Sequence, residues 1–300
     1  VALSGGADSL ALAAATAFEA PKRGMTLVSA TIDHGLQPGS AEVAEAAARQ
    51  AEELGMDARV QRVAVSDAGG PEAAARAARY AALSAIAHDV DAAAVLVAHT
   101  LDDQAETVLL GLARGSGATS LQGMAAASDL DGVPLLRPFL ALTRTTTRAA
   151  CTAQGLDPWD DPQNADLSYT RVRVRERVLP VLEAELGPGI AEALARTAEQ
   201  AREDATAFAA MVDETIEDIV EHAEAGISVS VPALAANPAA LRHRIIRHVV
   251  AAEFGESLSR AQTLEVARLV TDWSGQGPID LPGCAAARVG SRIVFTAAGR

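Results

Sequence analysis

The residues Ser4-Gly5-Gly6-Ala7-Asp8-Ser9 combine the side chains and the backbone freedom that a phosphate group needs. Two glycines let a chain turn tightly and approach a ligand closely. Placed between a strand and a helix, their backbone N–H groups and the helix N-terminus form a cradle for an anion. The Ser4 and Ser9 hydroxyls add hydrogen bonds to phosphate oxygens. Asp8 repels phosphate unless a cation bridges the two. Mg²⁺, which prefers carboxylate and phosphate oxygens, is the natural candidate. The same residues also suit a plain helix N-cap after a glycine turn, so the hexapeptide takes its meaning from its surroundings.

Three other groups carry charge in suggestive patterns. Asp33-His34-Gly35 follows an apolar run, as does His99-Thr100-Leu101-Asp102-Asp103-Gln104-Ala105-Glu106. On a helix opened by Leu101, Asp103 and Glu106 share a face and Asp102 points elsewhere; acids are also common at helix starts without any further role. Arg171, Arg173, Arg175 and Arg177 alternate along the segment 170–177. A helix there puts Arg171 and Arg175 on one face, open to RNA phosphates or paired with the acidic helix that follows. A second basic run, Arg242-His243-Arg244-Ile245-Ile246-Arg247-His248, reads either as an RNA-binding helix or as a solvated amphipathic face.

These residues need elements to hold them. Apolar runs at Val1–Leu3, Thr26–Ile32, Ala58–Val65 and Ala93–Ala98 alternate with helical patterns at Asp8–Glu19, Ser40–Leu54, Pro71–His88 and Leu101–Ala113. Such alternation predicts an α/β fold, a parallel twisted sheet with helices on both faces. Ligands bind such sheets at the carboxyl ends of the strands, where Ser4–Ser9, Asp33–Gly35 and His99–Asp103 converge. Leu135–Pro138 reads as a last short strand, and helices are expected at Arg144–Gln154, 170–186 and 189–224, the last two broken at Gly187-Pro188-Gly189. From Ile227 the pattern becomes a short strand, helices near 238–253 and 259–271, and short strands at Pro278–Leu281, Ala285–Val289 and Arg292–Thr296. The expected division is a catalytic domain over 1–185 and a smaller helical or α+β domain over 186–300.

Composition narrows the possibilities. Of the 25 basic residues all but Lys22 are arginine, so a Walker-type P-loop is absent and a Schiff-base lysine is disfavoured. The two cysteines, Cys151 and Cys284, are too few and too far apart for a zinc finger, an iron–sulfur cluster or a disulfide framework. A net charge of −14 argues against nonspecific coating of nucleic acid. No apolar run approaches the roughly 18 residues of a membrane span, and nothing suggests export, so a cytoplasmic protein is expected. A strand as short as Val1–Leu3 leads one to expect a natural start further upstream.

The hexapeptide resembles the PP-loop of the N-type ATP pyrophosphatases, SGGxDS, which cleave ATP between the α and β phosphates. The likeness extends to one member family, the tRNA(Ile)-lysidine synthases. His99 to Leu110 followed by Arg114-Gly115-Ser116-Gly117 resembles that family's HxxDDQxET…RGSG block, and Asp33-His34-Gly35-Leu36 its DHGL. Asp161 to Asp166 with Tyr169-Thr170-Arg171-Val172-Arg173 is similar to DPSNxD…RNR, with Gln163 and Val172 departing from it, and Leu281-Pro282-Gly283 is also familiar. The matches run in order over most of the chain.

The resemblance implies that ATP adenylates the C2 oxygen of the wobble cytidine of tRNA(Ile) with a CAU anticodon, and that free L-lysine then displaces AMP, giving lysidine. It implies ATP contacts at Ser4, Gly5, Gly6, Ala7, Asp8 and Ser9, and Mg²⁺ at Asp8 and Asp103. Catalytic roles fall on Asp33, His99, Asp103, Glu106 and Arg114. Asp33, Asp103 and Glu106 stand open between metal and lysine, His99 or a carboxylate serves as base, and Arg114 neutralises phosphate. Arg171, Arg173, Arg175, Arg242 and Arg244 are the expected tRNA contacts, and a homodimer is a candidate assembly. Rival readings are a tRNA thiolase, disfavoured by the missing cysteine pair, a small-molecule amidating synthetase, and a nucleotide-binding module without catalysis.

Overall fold

Val1-Ala2-Leu3 joins two halves of a sheet. In the computed structural model, which describes residues 1–35, 37–64, 71–115, 117–223 and 226–298, the N–H of Leu3 donates to the Ala30 carbonyl and that of Ala2 to the Leu96 carbonyl, each at 2.9 Å. The chain divides into two compact units, Val1–Arg202 and Glu203–Arg300.

The first unit runs α1 (Ala7–Glu19), β1 (Val28–Asp33), α2 (Ser40–Glu53), β2 (Asp57–Arg62), α3 (Pro71–Asp89), β3 (Val95–Leu96) and α4 (Leu101–Arg114). It continues through β4 (Ala127–Leu130), β5 (Val133–Leu136), α5 (Arg144–Gln154), α6 (Thr170–Arg173), a π-turn at Val174–Val178 and α7 (Leu179–Leu186). β1 and β2 are parallel, as are β3 and β5, and β4 closes the edge as an antiparallel strand. With the Val1–Leu3 stub between β1 and β3, the expected parallel sheet is present, plus an edge hairpin the sequence reading lacked. Leu36, Val65 and Ser116, which fell within expected motifs or strands, lie outside the described residues.

Small residues let the helices lie close to this sheet. Ala44, Ala47, Ala48 and Ala51 follow a helical stripe on α2 and are all buried. Ala47 and Ala51 meet Leu3, Leu10 and Met56 on one face of the sheet, while Leu83, Ala87, Val95, Val97 and Leu135 form the core on the other. α4 opens on a capping box in which Thr100 and Asp103 satisfy each other's backbone N–H groups.

Helix α8 (Ile190–Ile219) carries the chain into the second unit. There β6 (Val220–Ala223), β7 (Gly226–Ser230), α9 (Val231–Ala236), α10 (Ala239–Phe254), α11 (Arg260–Thr271), β8 (Ile279–Leu281), β9 (Cys284–Val289) and β10 (Arg292–Ala297) follow. The strands form one antiparallel sheet in the order β6-β7-β10-β9-β8. The expected helix 189–224 therefore stops at Ile219. Val220–Ala223 pairs with β7 instead, a long-range partner overriding local helical periodicity. Phe295, Ile245, Ile246, Val249, Val250 and Leu269 fill a core of large side chains.

Candidate active site

The phosphate-type turn takes its shape from both serines. Gly5 has φ +83°, a left-handed backbone that favours glycine, and a Cβ there would stand 3.4 Å from that of Ala47. Gly6 caps α1, so the N–H groups of Ala7, Asp8 and Ser9 have no acceptor inside the helix. The Ser9 hydroxyl donates to the Gly6 carbonyl at 2.9 Å and accepts the Ser4 N–H at 3.1 Å. Ser9 thus braces the turn from within. From outside, the Trp159 N–H donates to the Gly5 carbonyl at 2.9 Å. The segment bearing Trp159 is itself held by Gln50, which exchanges two 3.0 Å bonds with the Asp157 backbone, and by Gln37, whose amide donates to Asp161 at 3.1 Å.

Beside the turn lies an ionic array that no local spacing announces. Arg144, at the start of α5, reaches Asp103 Oδ1 at 2.6 Å, Glu106 Oε1 at 3.0 Å and Asp8 Oδ2 at 3.6 Å. Its backbone N–H donates to Asp102 at 2.8 Å. Glu106 is fully buried and also accepts from Arg171 Nε at 2.8 Å and Arg175 Nε at 2.7 Å. Three guanidinium groups thus surround one carboxylate, geometry that stabilises a buried charge. Asp8 accepts a short hydrogen bond from Thr147, yet burial raises its pKa against the pull of Thr147 and Arg144. Burial works the same way on Asp103, but Arg144 and Thr100 outweigh it and hold the carboxyl below its usual range. Burial opposes the Arg144 charge too, and Asp103 and Glu106 more than restore it.

These residues adjoin a cleft of about 560 Å³ at the carboxyl ends of the strands. Ser4, Asp8 and Ser9 line one part; Asp33, His34, His99, Arg171 and Arg175 line the rest, together with Arg76, Arg79 and Tyr80 of α3, which sequence reasoning missed. The i, i+3 spacing of Arg76 and Arg79 before Tyr80 was the available signal. Asp33 accepts the Gly35 N–H at 2.9 Å, and bonds from Ser40 and Gly35 overcome its burial and lower its pKa. Burial pushes His99 down to about 4, so its ring is neutral at pH 7, and its buried Nδ1 has no partner among the described residues. Among those residues no cluster of three or more His, Cys, Asp or Glu forms a preassembled metal site.

A PP-loop domain model matches residues 1–182, and a TilS substrate binding domain model matches 230–294. The tRNA(Ile)-lysidine synthase of Leifsonia xyli subsp. xyli is 60% identical over 98% of this chain and 88% of its own length. That of Streptomyces coelicolor is 52% identical, covering 98% and 84%. The chain belongs to the tRNA(Ile)-lysidine synthase family. The U34-tRNA thiolase NcsA from Methanococcus maripaludis, 18% identical, superposes with a TM-score of 0.56 over 66% of this chain and 70% of its own, a likeness of fold.

Several positions that the lysidine synthase resemblance singled out sit otherwise than expected. Arg114 is exposed at the far end of α4, about 16 Å along the helix from Asp103 at 1.5 Å per residue, and does not line the cleft. Glu106 has both oxygens engaged by arginines, which leaves none for a lysine ammonium. Asp103 has one oxygen on Arg144 and the other on the Thr100 N–H. Arg171 and Arg175 pair with Glu106 rather than with the following acidic helix, and both line the cleft. Arg173 donates to the carbonyls of Leu167 and Ser168 at 2.8 and 2.6 Å and to the Thr170 hydroxyl, tying down its own helix start. In the second unit, Arg242 donates to the carbonyls of Leu234, Ala235 and Asn237, and Arg244 bonds Ala240 and stacks 3.9 Å over Phe208. Both hold the fold.

Proposed function

We propose that this chain ligates free L-lysine to C2 of the wobble cytidine of tRNA(Ile) with a CAU anticodon. The reaction consumes ATP and releases pyrophosphate and then AMP. The observation that carries the reading is the Ser4–Ser9 turn, whose Ser4, Asp8 and Ser9 line the same cleft as Asp33 and His99. The Ala7, Asp8 and Ser9 amides take the ATP phosphates, and the cytidine O2 attacks the α-phosphorus as pyrophosphate leaves. The lysine ε-ammonium gives a proton to water by way of His99, the free amine attacks C2, the C2–O bond to AMP breaks, and the new C–N nitrogen releases its second proton to water. Asp33, ionised and facing the cleft, holds the incoming ammonium, and neutral His99 accepts its hydrogen bond. Glu106 acts at one remove, fixing Arg171 and Arg175 at the cleft wall.

Asp8 fits a Mg²⁺ ligand, because its carboxylate stands next to the phosphate cradle and the missing ligands are phosphate oxygens and water. Such an ion would supply charge neutralisation at the triphosphate. Residues 1–185 form the proposed catalytic domain and 186–300 the tRNA-binding one, in a cytoplasmic enzyme for which a homodimer is the proposed assembly. Among the described residues no helix is long and apolar enough to cross a membrane.

The test is mass spectrometry of a tRNA(Ile) transcript after incubation with ATP and lysine, with AMP release followed in parallel. Lysidine and AMP that depend on both lysine and the tRNA are expected; AMP without RNA would overturn the reading in favour of a small-molecule synthetase. Asp8→Asn is expected to slow pyrophosphate release by about a hundredfold or more while sparing tRNA binding, because it removes charge from the phosphate site. Wild-type turnover in that variant would remove Asp8 from the chemistry.

A further inference from the structure

Helix α5 turns one face toward the phosphate-type turn. Arg144, Thr147 and Cys151 stand at i, i+3 and i+7 along it, a spacing that stacks them on one side. All three reach the first two residues of α1. The Cys151 thiol donates to the Ala7 carbonyl at 3.2 Å, the Thr147 hydroxyl donates to Asp8 Oδ1, and Arg144 Nε lies 3.6 Å from Asp8 Oδ2. Thr147 and Cys151 are both buried.

Arg144 is out of place by local rules. It is the first residue of α5, the end of a helix where a cation is disfavoured. Helix α4 is what holds it there. The Arg144 backbone N–H donates to Asp102 at 2.8 Å, and its two terminal nitrogens donate to Asp103 and Glu106 at 2.6 and 3.0 Å. The Leu101 N–H, at the start of α4, donates to the Leu142 carbonyl just before α5 at 2.9 Å. The guanidinium is thus fixed from the α4 side and turns its Nε edge to Asp8. At 3.6 Å that contact is an ion pair beyond hydrogen-bond reach. Asp8 is therefore clamped by Thr147 at one oxygen, while its other oxygen accepts no hydrogen bond among the described residues. Asp8 lines the cleft and Arg144 does not, so whatever Arg144 does for a ligand it does through Asp8.

We propose that Arg144 is a positioning residue for the first step of the reaction, holding Asp8 so that its open oxygen is presented to the ATP phosphates. The assignment rests on the lysidine synthase reading, which makes the Ser4–Ser9 turn the ATP site. It gives one buried anion, Glu106, a hold on the phosphate turn through Arg144 and on the cleft wall through Arg171 and Arg175.

The test follows pyrophosphate release and ATP binding separately in the full chain with a tRNA(Ile) transcript. The variants are Arg144→Lys, Asp8→Asn and the two combined. Lysine keeps the charge but lacks the planar fork that faces three carboxylates at once. Arg144→Lys is expected to melt close to the wild-type chain and to bind ATP within about twofold of it, while pyrophosphate release slows about tenfold or more. The combined variant is expected to be no slower than Asp8→Asn alone, because both changes act on the same carboxylate. A brace that serves only the fold would lower the melting temperature and leave the rate of the folded enzyme unchanged. A folded Arg144→Lys with wild-type pyrophosphate release would overturn the assignment, as would a combined variant slower than Asp8→Asn by the full factor of Arg144→Lys. If Arg144→Lys does not fold, Thr147→Val, which removes the clamp on the other Asp8 oxygen and no charge, decides by the same measurements; wild-type release there overturns the idea that the hold on Asp8 matters. If the wild-type chain releases no pyrophosphate with ATP and the tRNA, it is the lysidine synthase reading that fails, and the role of Arg144 falls with it.

Discussion

The arginines of 170–177 and those of 241–248 look alike on paper and behave in opposite ways. In the first unit Arg171 and Arg175 converge, with Arg144, on the fully buried Glu106. In the second, Arg247 has other cations around it and no carboxylate. One set is an internal ionic joint that fixes a cleft wall; in the other, Arg242 and Arg244 brace their own unit through backbone carbonyls and the Phe208 ring. A basic run therefore carries little meaning until its partners are known, and one buried carboxylate decides which kind it is.

Glu106→Gln breaks the comparison at its strongest point. Removing the shared anion leaves three guanidinium groups against one another, and a loss of about 3–5 kcal/mol in unfolding free energy is expected from denaturant titration. Stability equal to wild type would mean the arginines need no common anchor. A smaller effect sharpens the comparison inside the first unit, where His99 sits buried near Arg137, Arg76 and Arg79. An unfolded imidazole binds a proton near 6.5, but this one does so only near 4. The folded protein therefore loses stability as pH falls through that window, by up to about 3 kcal/mol. His99→Gln should flatten this stretch of the stability–pH curve; an unchanged curve would place the titration elsewhere. The smallest change is expected from Arg242→Gln. Losing its bonds to carbonyls costs about 1–2 kcal/mol, with tRNA affinity unaltered at temperatures where the variant is folded. A selective loss of RNA binding in that variant would return Arg242 to the contact surface.

Local pattern revealed what is local. The Ser4–Ser9 turn, the capped start of α4 and the alternation of β1, α2, β2 and α3 were legible because glycine freedom, capping and periodicity act over a few residues. The strand β6 was not, since Val220–Ala223 is a strand only by virtue of β7. Arg144 was invisible for the same reason: its partners Asp103 and Glu106 lie 41 and 38 positions away, and no spacing rule links them. Arg114 misled in the other direction. A motif placed it near the chemistry, but 3.6 residues per turn and the straight run of α4 carry it away from the cleft.

The Trp159–Gly5 hydrogen bond has a consequence for how the molecule is handled as well as how it folds. The nucleotide corner is not a self-sufficient peptide device; its outer rim is tethered to a stretch of chain that the ribosome delivers much later. A fragment ending before Trp159 would keep every glycine and serine of the signature and still lack the strut that sets its opening.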